Sequence, residues 1–148
     1  MQKNVIVTGG AGYIGSHACK ALRNAGYRPI TVDNLSTGWS EAVIFGPFER
    51  VDLLDRGEPS QVFEKYKTQA VMHFAAFSQV GESVDDPAKY WRNNLIRSLN
   101  LFEACEERGC QNIIFSSTCT TYSDYDNVVL TEVSTSVRLM HMDLPSEQ

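Results

Sequence analysis

The run Gly9-Gly10-Ala11-Gly12-Tyr13-Ile14-Gly15-Ser16-His17 follows directly on the strand-forming segment Lys3-Asn4-Val5-Ile6-Val7-Thr8. Gly10, Gly12 and Gly15 fit G-x-G-x-x-G, while Gly9, Gly12 and Gly15 fit G-x-x-G-x-x-G. Either pattern prescribes a tight turn from strand to helix. One glycine reverses the chain, a second lets backbone approach a pyrophosphate, and a third lets the helix lie close on the strand. The free N–H groups of the helix's first turn then face a diphosphate, whose charge the helix dipole favours. A chain that opens this way is constrained to a strand–turn–helix unit built around a dinucleotide.

Glycine turns are common, so the context has to carry this reading. Tyr13 to Asn24 predicts an amphipathic helix with Ile14, Ala18, Ala21 and Leu22 near helical spacing, and Gly26 as its stop. A second strand, Pro29-Ile30-Thr31-Val32, ends on Asp33. An NAD site places a carboxylate roughly 20 residues past the glycines to accept from the ribose hydroxyls, and that acid repels the extra phosphate of NADP. The competing reading, that Asp33 only opens the turn Asp33-Asn34-Leu35-Ser36, does not account for strand, glycines, helix, strand and acid falling in register.

Alternation continues along the chain and argues for a parallel sheet covered by helices. Phe48 to Val51 predicts a third strand and Glu58 to Tyr66 a helix with Val62 and Phe63 inward. Ala70 to Ala76 is nearly continuous apolar sequence, as in a central strand buried on both faces. Asp86-Pro87 opens a long helix to about Arg108, with Leu95, Leu99, Leu101, Phe102 and Cys105 as its apolar positions and Gly109 as its stop. Asn112-Ile113-Ile114-Phe115 predicts a fifth strand. The fold class expected is α/β: a Rossmann-like doubly wound parallel sheet, incomplete at five strands and lacking a C-terminal substrate domain. Residues 1–130 form the NAD-binding domain in this reading, and residues 131–148, which have no clear period, form an aberrant tail.

The formal net charge of -5 and the absence of a basic cluster give no electrostatic case for a nucleic-acid partner. No apolar run reaches bilayer length, and Met1-Gln2-Lys3 enters a strand with no signal-peptide core, so no membrane role and a cytoplasmic location are expected. Cys19, Cys105, Cys110 and Cys119 form no C-x-x-C pair and read as small buried thiols in a reducing compartment. His17, His73 and His141 are too scattered to suggest a metal site.

The combined motifs resemble the UDP-glucose 4-epimerase branch of the extended short-chain dehydrogenases/reductases, over roughly residues 3–132. The resemblance rests on Thr8 to His17, on Asp33-Asn34-Leu35-Ser36-Thr37-Gly38 and on His73-Phe74-Ala75-Ala76. The discriminating stretch is Val80-Gly81-Glu82-Ser83-Val84, followed by Pro87, Tyr90 and Asn93-Asn94. It implies NAD as cofactor, a UDP-hexose as substrate, galactose metabolism and a homodimer paired through helices that include the one from Asp86 to Arg108. It also implies roles for single residues. Gly9, Gly12 and Gly15 form the turn, the backbone at Tyr13 and Ile14 meets the pyrophosphate, and Asp33 with Asn34 holds the adenosine ribose. Asp52 accepts the adenine amine beside an apolar wall at Leu53. Phe74, Ala75, Ala76 and Ser78 border the cofactor, and Asn93 lies near the nicotinamide half. Thr118 matches the Ser or Thr that hydrogen-bonds the sugar hydroxyl being oxidised. His73, despite its place in a motif, reads as a satisfied core histidine.

The sequence departs from the family in two places. Ser123 stands where the family shows Gly after Tyr. The general base, Tyr-x-x-x-Lys, does not occur after Thr118: Tyr122 and Tyr125 are followed four places on by Asp126 and Val129, and the last lysine is Lys89. In the family, the phenolate takes the hydroxyl proton while Lys and the cationic nicotinamide lower its pKa. The genetic code suggests an origin for the loss. Met140-His141-Met142-Asp143, read one frame over, forces Ala, then Tyr or His, then Gly, and permitted third bases complete Asn-Ala-Tyr-Gly-Leu-Thr-Lys. A frameshift near Glu132 is therefore expected, and with it a truncated chain without epimerase activity. A non-catalytic NAD-binding fragment, a defective fragment that never folds stably because its apolar strands lose their covers, and an NAD-dependent nucleotide-sugar dehydratase or decarboxylase on the same scaffold are the alternatives.

Overall fold

A computed structural model describes residues 2–118 and 131. The chain separates into two compact units, Met1–Phe115 and Ser116–Gln148. The first is an open, wholly parallel sheet with its helices supplied by the crossovers. Its strands are β1 (Asn4–Thr8), β2 (Arg28–Asp33), β3 (Phe48–Arg50), β4 (Ala70–His73) and β5 (Asn112–Phe115), in spatial order β3-β2-β1-β4-β5. β1 pairs Val5 with Pro29 of β2 on one side and with Ala70 of β4 on the other. The chain first winds outward to β3, then returns past β1 to β4 and β5. The order therefore reverses between β1 and β4, and such a reversal opens a crevice beyond the carboxyl ends of the two strands.

α1 (Tyr13–Asn24) joins β1 to β2 and ends as its glycine predicts, with Gly26 at φ +85°. The two residues it buries are Gly15 and Cys19, whereas Ile14 lies outward. A 3-10 turn, Ser40–Ala42, lies between β2 and β3, and α2 (Gly57–Tyr66) joins β3 to β4 with Val62 and Phe63 buried. The crossover from β4 to β5 carries α3 (Val80–Asp85), α4 (Pro87–Tyr90), a π-helical turn (Trp91–Ile96) and α5 (Arg97–Glu107). Asp86 caps α4, accepting Lys89 N at 3.1 Å with Pro87 in the first turn.

The core sits between the sheet and the α2–α5 layer, where Ile6, Ile30, Val71, Val62, Phe63, Leu101 and Cys105 are buried together. Leu95 and Leu99, expected inward, face out instead. The inward face of α5 also carries Ser98 and Asn100, whose hydrogen-bond partners lie on other elements. β4 alternates between partly buried and buried residues, and β5 is exposed along its length. Among the described residues no helix is long and apolar enough to cross a membrane. Cys119, Tyr122, Ser123, Tyr125 and, apart from Thr131, the expected tail at 131–148 lie outside the described residues.

Candidate functional site

The glycine turn sits at the reversal between β1 and β4, and its glycines are there for space. Gly9 has φ +68°, and a Cβ on it would lie 2.7 Å from Ala75 N. A Cβ on Gly15 would lie 2.2 Å from Gly9 O. Only hydrogen at both positions lets the turn seat against β4 and lets α1 start so close beneath it. Gly12 N donates to Gly9 O at 3.0 Å, and Gly12 is the N-cap of α1 without a side-chain acceptor; no acid stands in the first turn. The amides of Tyr13 and Ile14 thus have no acceptor among the described residues, as the first turn of an uncapped helix dictates. Tyr13 and Ile14 are 83% and 63% exposed. Bare donors at the positive end of a helix make a seat for an anion.

Asp33 ends β2 and turns its carboxylate toward that strip. Oδ2 accepts Ala11 N at 3.1 Å and Oδ1 accepts Leu35 N at 2.8 Å. Trp39 N donates to Ala11 O at 3.0 Å, which pins the following loop beside the turn. Each Asp33 oxygen has one hydrogen bond here and room for another, the requirement for gripping a vicinal diol. Asn34 accepts Ser36 N at 3.0 Å and donates to Asp52 Oδ2 at 3.1 Å.

Asp52, just past β3, is held by Arg97 of α5 in a two-pronged pair, Nε to Oδ1 and Nη2 to Oδ2, both 2.9 Å. Burial alone would raise the Asp52 pKa. The Arg97 guanidinium, the Leu54 N–H and the Asn34 amide outweigh it and hold the carboxyl below its ordinary value. Arg97 Nη1 also donates to Asn93 Oδ1. Asn93, in the π turn, is buried and donates to Asn94 Oδ1 at 2.8 Å. Asn94 in turn clasps the loop after β4, accepting Phe77 N at 2.9 Å and donating to Phe77 O at 3.0 Å. One polar chain therefore runs from Asn34 to Phe77 across the mouth. Leu53, next to Asp52, is buried in the core.

At the end of β4, Phe74 N donates to Thr8 O at 3.0 Å and Ala75 lies against Gly9. Ala76 and Ser78 are exposed beyond it. His73 is 2% exposed, with Nδ1 2.6 Å from Thr8 Oγ1 and Nε2 2.8 Å from Ser98 Oγ. Ser98 Oγ donates to Asn94 O at 2.5 Å, so it accepts from Nε2–H, and Nδ1 accepts from Thr8. Burial brings the ring's pKa down to about 4, and its role is to tie β1, β4 and α5 together. Thr118 is exposed and belongs to the second unit. Among the described residues no cluster of three or more His, Cys, Asp and Glu could hold a metal.

The sequence reading assigns no role to Arg97, Asn94 or Ala11. Ala11 lies inside the glycine motif and could have been found from it. Asn94 belongs to the Asn93-Asn94 pair but carries no role there, and Arg97, which acts on a partner 45 residues away in the chain, is marked by no local pattern.

Strand order, glycine cradle, unaccepted helix amides and an acid ending β2 define a dinucleotide-binding α/β domain, and the residues present fit the diphosphate and ribose of such a ligand. A family model described as the NAD dependent epimerase/dehydratase family matches residues 5–140, and the chain belongs to that family. It is 48% identical over 130 residues to a UDP-glucose 4-epimerase of Rhizobium leguminosarum bv. trifolii, covering 88% of this chain and 40% of the relative. The crystal structure of UDP-glucose 4-epimerase from Brucella ovis in complex with NAD matches with a TM-score of 0.84 at 47% identity, covering 91% of this chain and 42% of that one. The enzyme of Thermotoga maritima, solved with UDP-glucose, matches with a TM-score of 0.79 at 36% identity, over 90% and 45% of the two chains. The chain spans about two fifths of the length of these relatives.

Proposed function

We propose that this chain is the cofactor-holding part of an NAD-dependent UDP-hexose 4-epimerase. One observation carries the reading: the unaccepted amides of Tyr13 and Ile14 face the same turn whose Ala11 N–H is held by Asp33. A diphosphate on the amides brings its adenosine ribose to the Asp33 carboxylate. The adenine then lies toward Asn34 and Asp52, and the nicotinamide toward Asn93 and the segment Phe74, Ala75, Ala76 and Ser78. NAD, when bound, supplies the acceptor and donor of hydride at C4 of the hexose. The chain supplies a fixed position and, through Asp33, discrimination against a 2′-phosphate. Thr118 is the residue proposed to hydrogen-bond the sugar hydroxyl.

No Tyr-x-x-x-Lys occurs in these residues, so the expected behaviour of the 148-residue chain is NAD binding without turnover. Titration of the purified chain with NAD, followed by tryptophan fluorescence and paired with an epimerase assay, tests both halves. Absence of NAD binding removes the cofactor reading, and turnover free of host enzyme removes the claim of inactivity. The exposed Trp91, Leu95, Ile96 and Leu99 along the π turn and α5 support a second copy of the chain as the subunit partner, which sedimentation velocity would detect.

A further inference from the structure

An ionised carboxylate offers about four lone-pair positions, and Asp52 receives that many donors from its own chain. Oδ1 accepts Leu54 N and Arg97 Nε, both at 2.9 Å. Oδ2 accepts Arg97 Nη2 at 2.9 Å and Asn34 Nδ2 at 3.1 Å. The Arg97 fork is charge-assisted and bidentate, the strongest class of side-chain hydrogen bonding. Its guanidinium is fixed from a third side by Asn93 Oδ1, and the Arg97 side chain is only 15% exposed. A base amine arriving at Asp52 must displace one of these donors. Exchanging a charge-assisted fork bond for a single neutral hydrogen bond is unfavourable, because the charge-assisted bond is about twice as strong.

We propose that Arg97 sets the base preference of this site by sealing Asp52, so that the 6-amino group of adenine is not read there and a 6-oxo purine is accepted as well. The proposal rests on the NAD reading above. A bare Asp52 would do the opposite: it would accept the amine and set its lone pairs against those of a 6-oxo group, and sites built to hydrogen-bond a substrate group reject the analogue lacking it by large factors. Arg97 is thus a positioning residue that acts through Asp52.

The experiment titrates the full chain with NAD and with nicotinamide hypoxanthine dinucleotide, which differ only at C6 of the base, and reads both dissociation constants by calorimetry. The wild-type chain is expected to bind the two within about threefold of each other. Arg97→Leu, which opens two positions on Asp52, is expected to prefer NAD by about tenfold or more. A wild-type preference for NAD of about tenfold or more overturns the proposal, because Asp52 then reads the amine despite Arg97. So does an Arg97→Leu chain that melts like wild type and keeps its ratio. Should Arg97→Leu fail to fold, the wild-type ratio alone decides. Binding of neither dinucleotide overturns the NAD reading together with this one, whereas tight binding of NAD with the wrong ratio removes only the role of Arg97.

Discussion

Lowering the pH from 7 to 4 should cost this protein much of its stability through one side chain, His73. The ring bridges Thr8 and Ser98 in a space that excludes water, and its folded pKa is brought down to about 4 from an ordinary 6.5. The folded state therefore prefers the neutral ring, and between these two values the unfolded chain binds the proton that the folded one refuses. Stability is at its full value above 6.5 and drains away as the pH falls toward 4. The shift corresponds to about 3 kcal/mol at 1.36 kcal/mol per unit, a large share of the roughly 5–15 kcal/mol typical of a domain. Geometry gives the same sign: a proton on Nδ1 would oppose the Thr8 hydroxyl hydrogen that it now accepts. Urea unfolding of wild type and His73→Gln at several pH values isolates the effect, since carboxylates titrate alike in both. With a urea slope of about 1–3 kcal/mol/M, the wild-type midpoint should fall about 1–3 M further than that of the variant. Parallel pH dependence in the two proteins would show that the ring is reached by solvent and the reasoning is wrong.

Gly15→Ala places its methyl carbon 2.2 Å from Gly9 O, backbone against backbone, and should lower stability by about 1–3 kcal/mol or more while abolishing NAD binding; a thermal melt and a titration check both. Asp33→Asn should weaken NAD by about tenfold and narrow the gap between NAD and NADP, as read by competition with each dinucleotide. The thiols of Cys19, Cys105 and Cys110 are buried, and burial pushes Cys105 up to about 12. These three should resist iodoacetamide at pH 8 until urea unfolds the chain, with peptide mass mapping as the readout.

The elements most legible from sequence are those whose residues leave the backbone no choice. Gly9 and Gly15 are demanded by steric room, so the turn, α1 and the β1–β4 crevice could be placed from a few residues. Asp86-Pro87 and Gly109 bracket the long crossover helix for the same reason. What misled was the inner face of that helix. Its apolar residues Leu95 and Leu99 point outward, while Asn93, Ser98 and Asn100 are buried because Arg97, His73 and the carbonyl of Leu53 satisfy them. Hydrophobic periodicity registers burial only when burial is apolar. Polar residues matched to partners on other strands are invisible to it, and Arg97, the hub of the mouth, was missed on that account.

The π turn at 91–96 adds one consequence. Each residue advances a helix by about 100°, so a wider turn rephases everything downstream against everything upstream. The stretch before it is keyed to the loop that Asn94 holds, and the stretch after it to the packed layer around Leu101. Deleting a single residue between 91 and 96 would restore an ordinary winding, and the segment could then satisfy one of those two surfaces but not both.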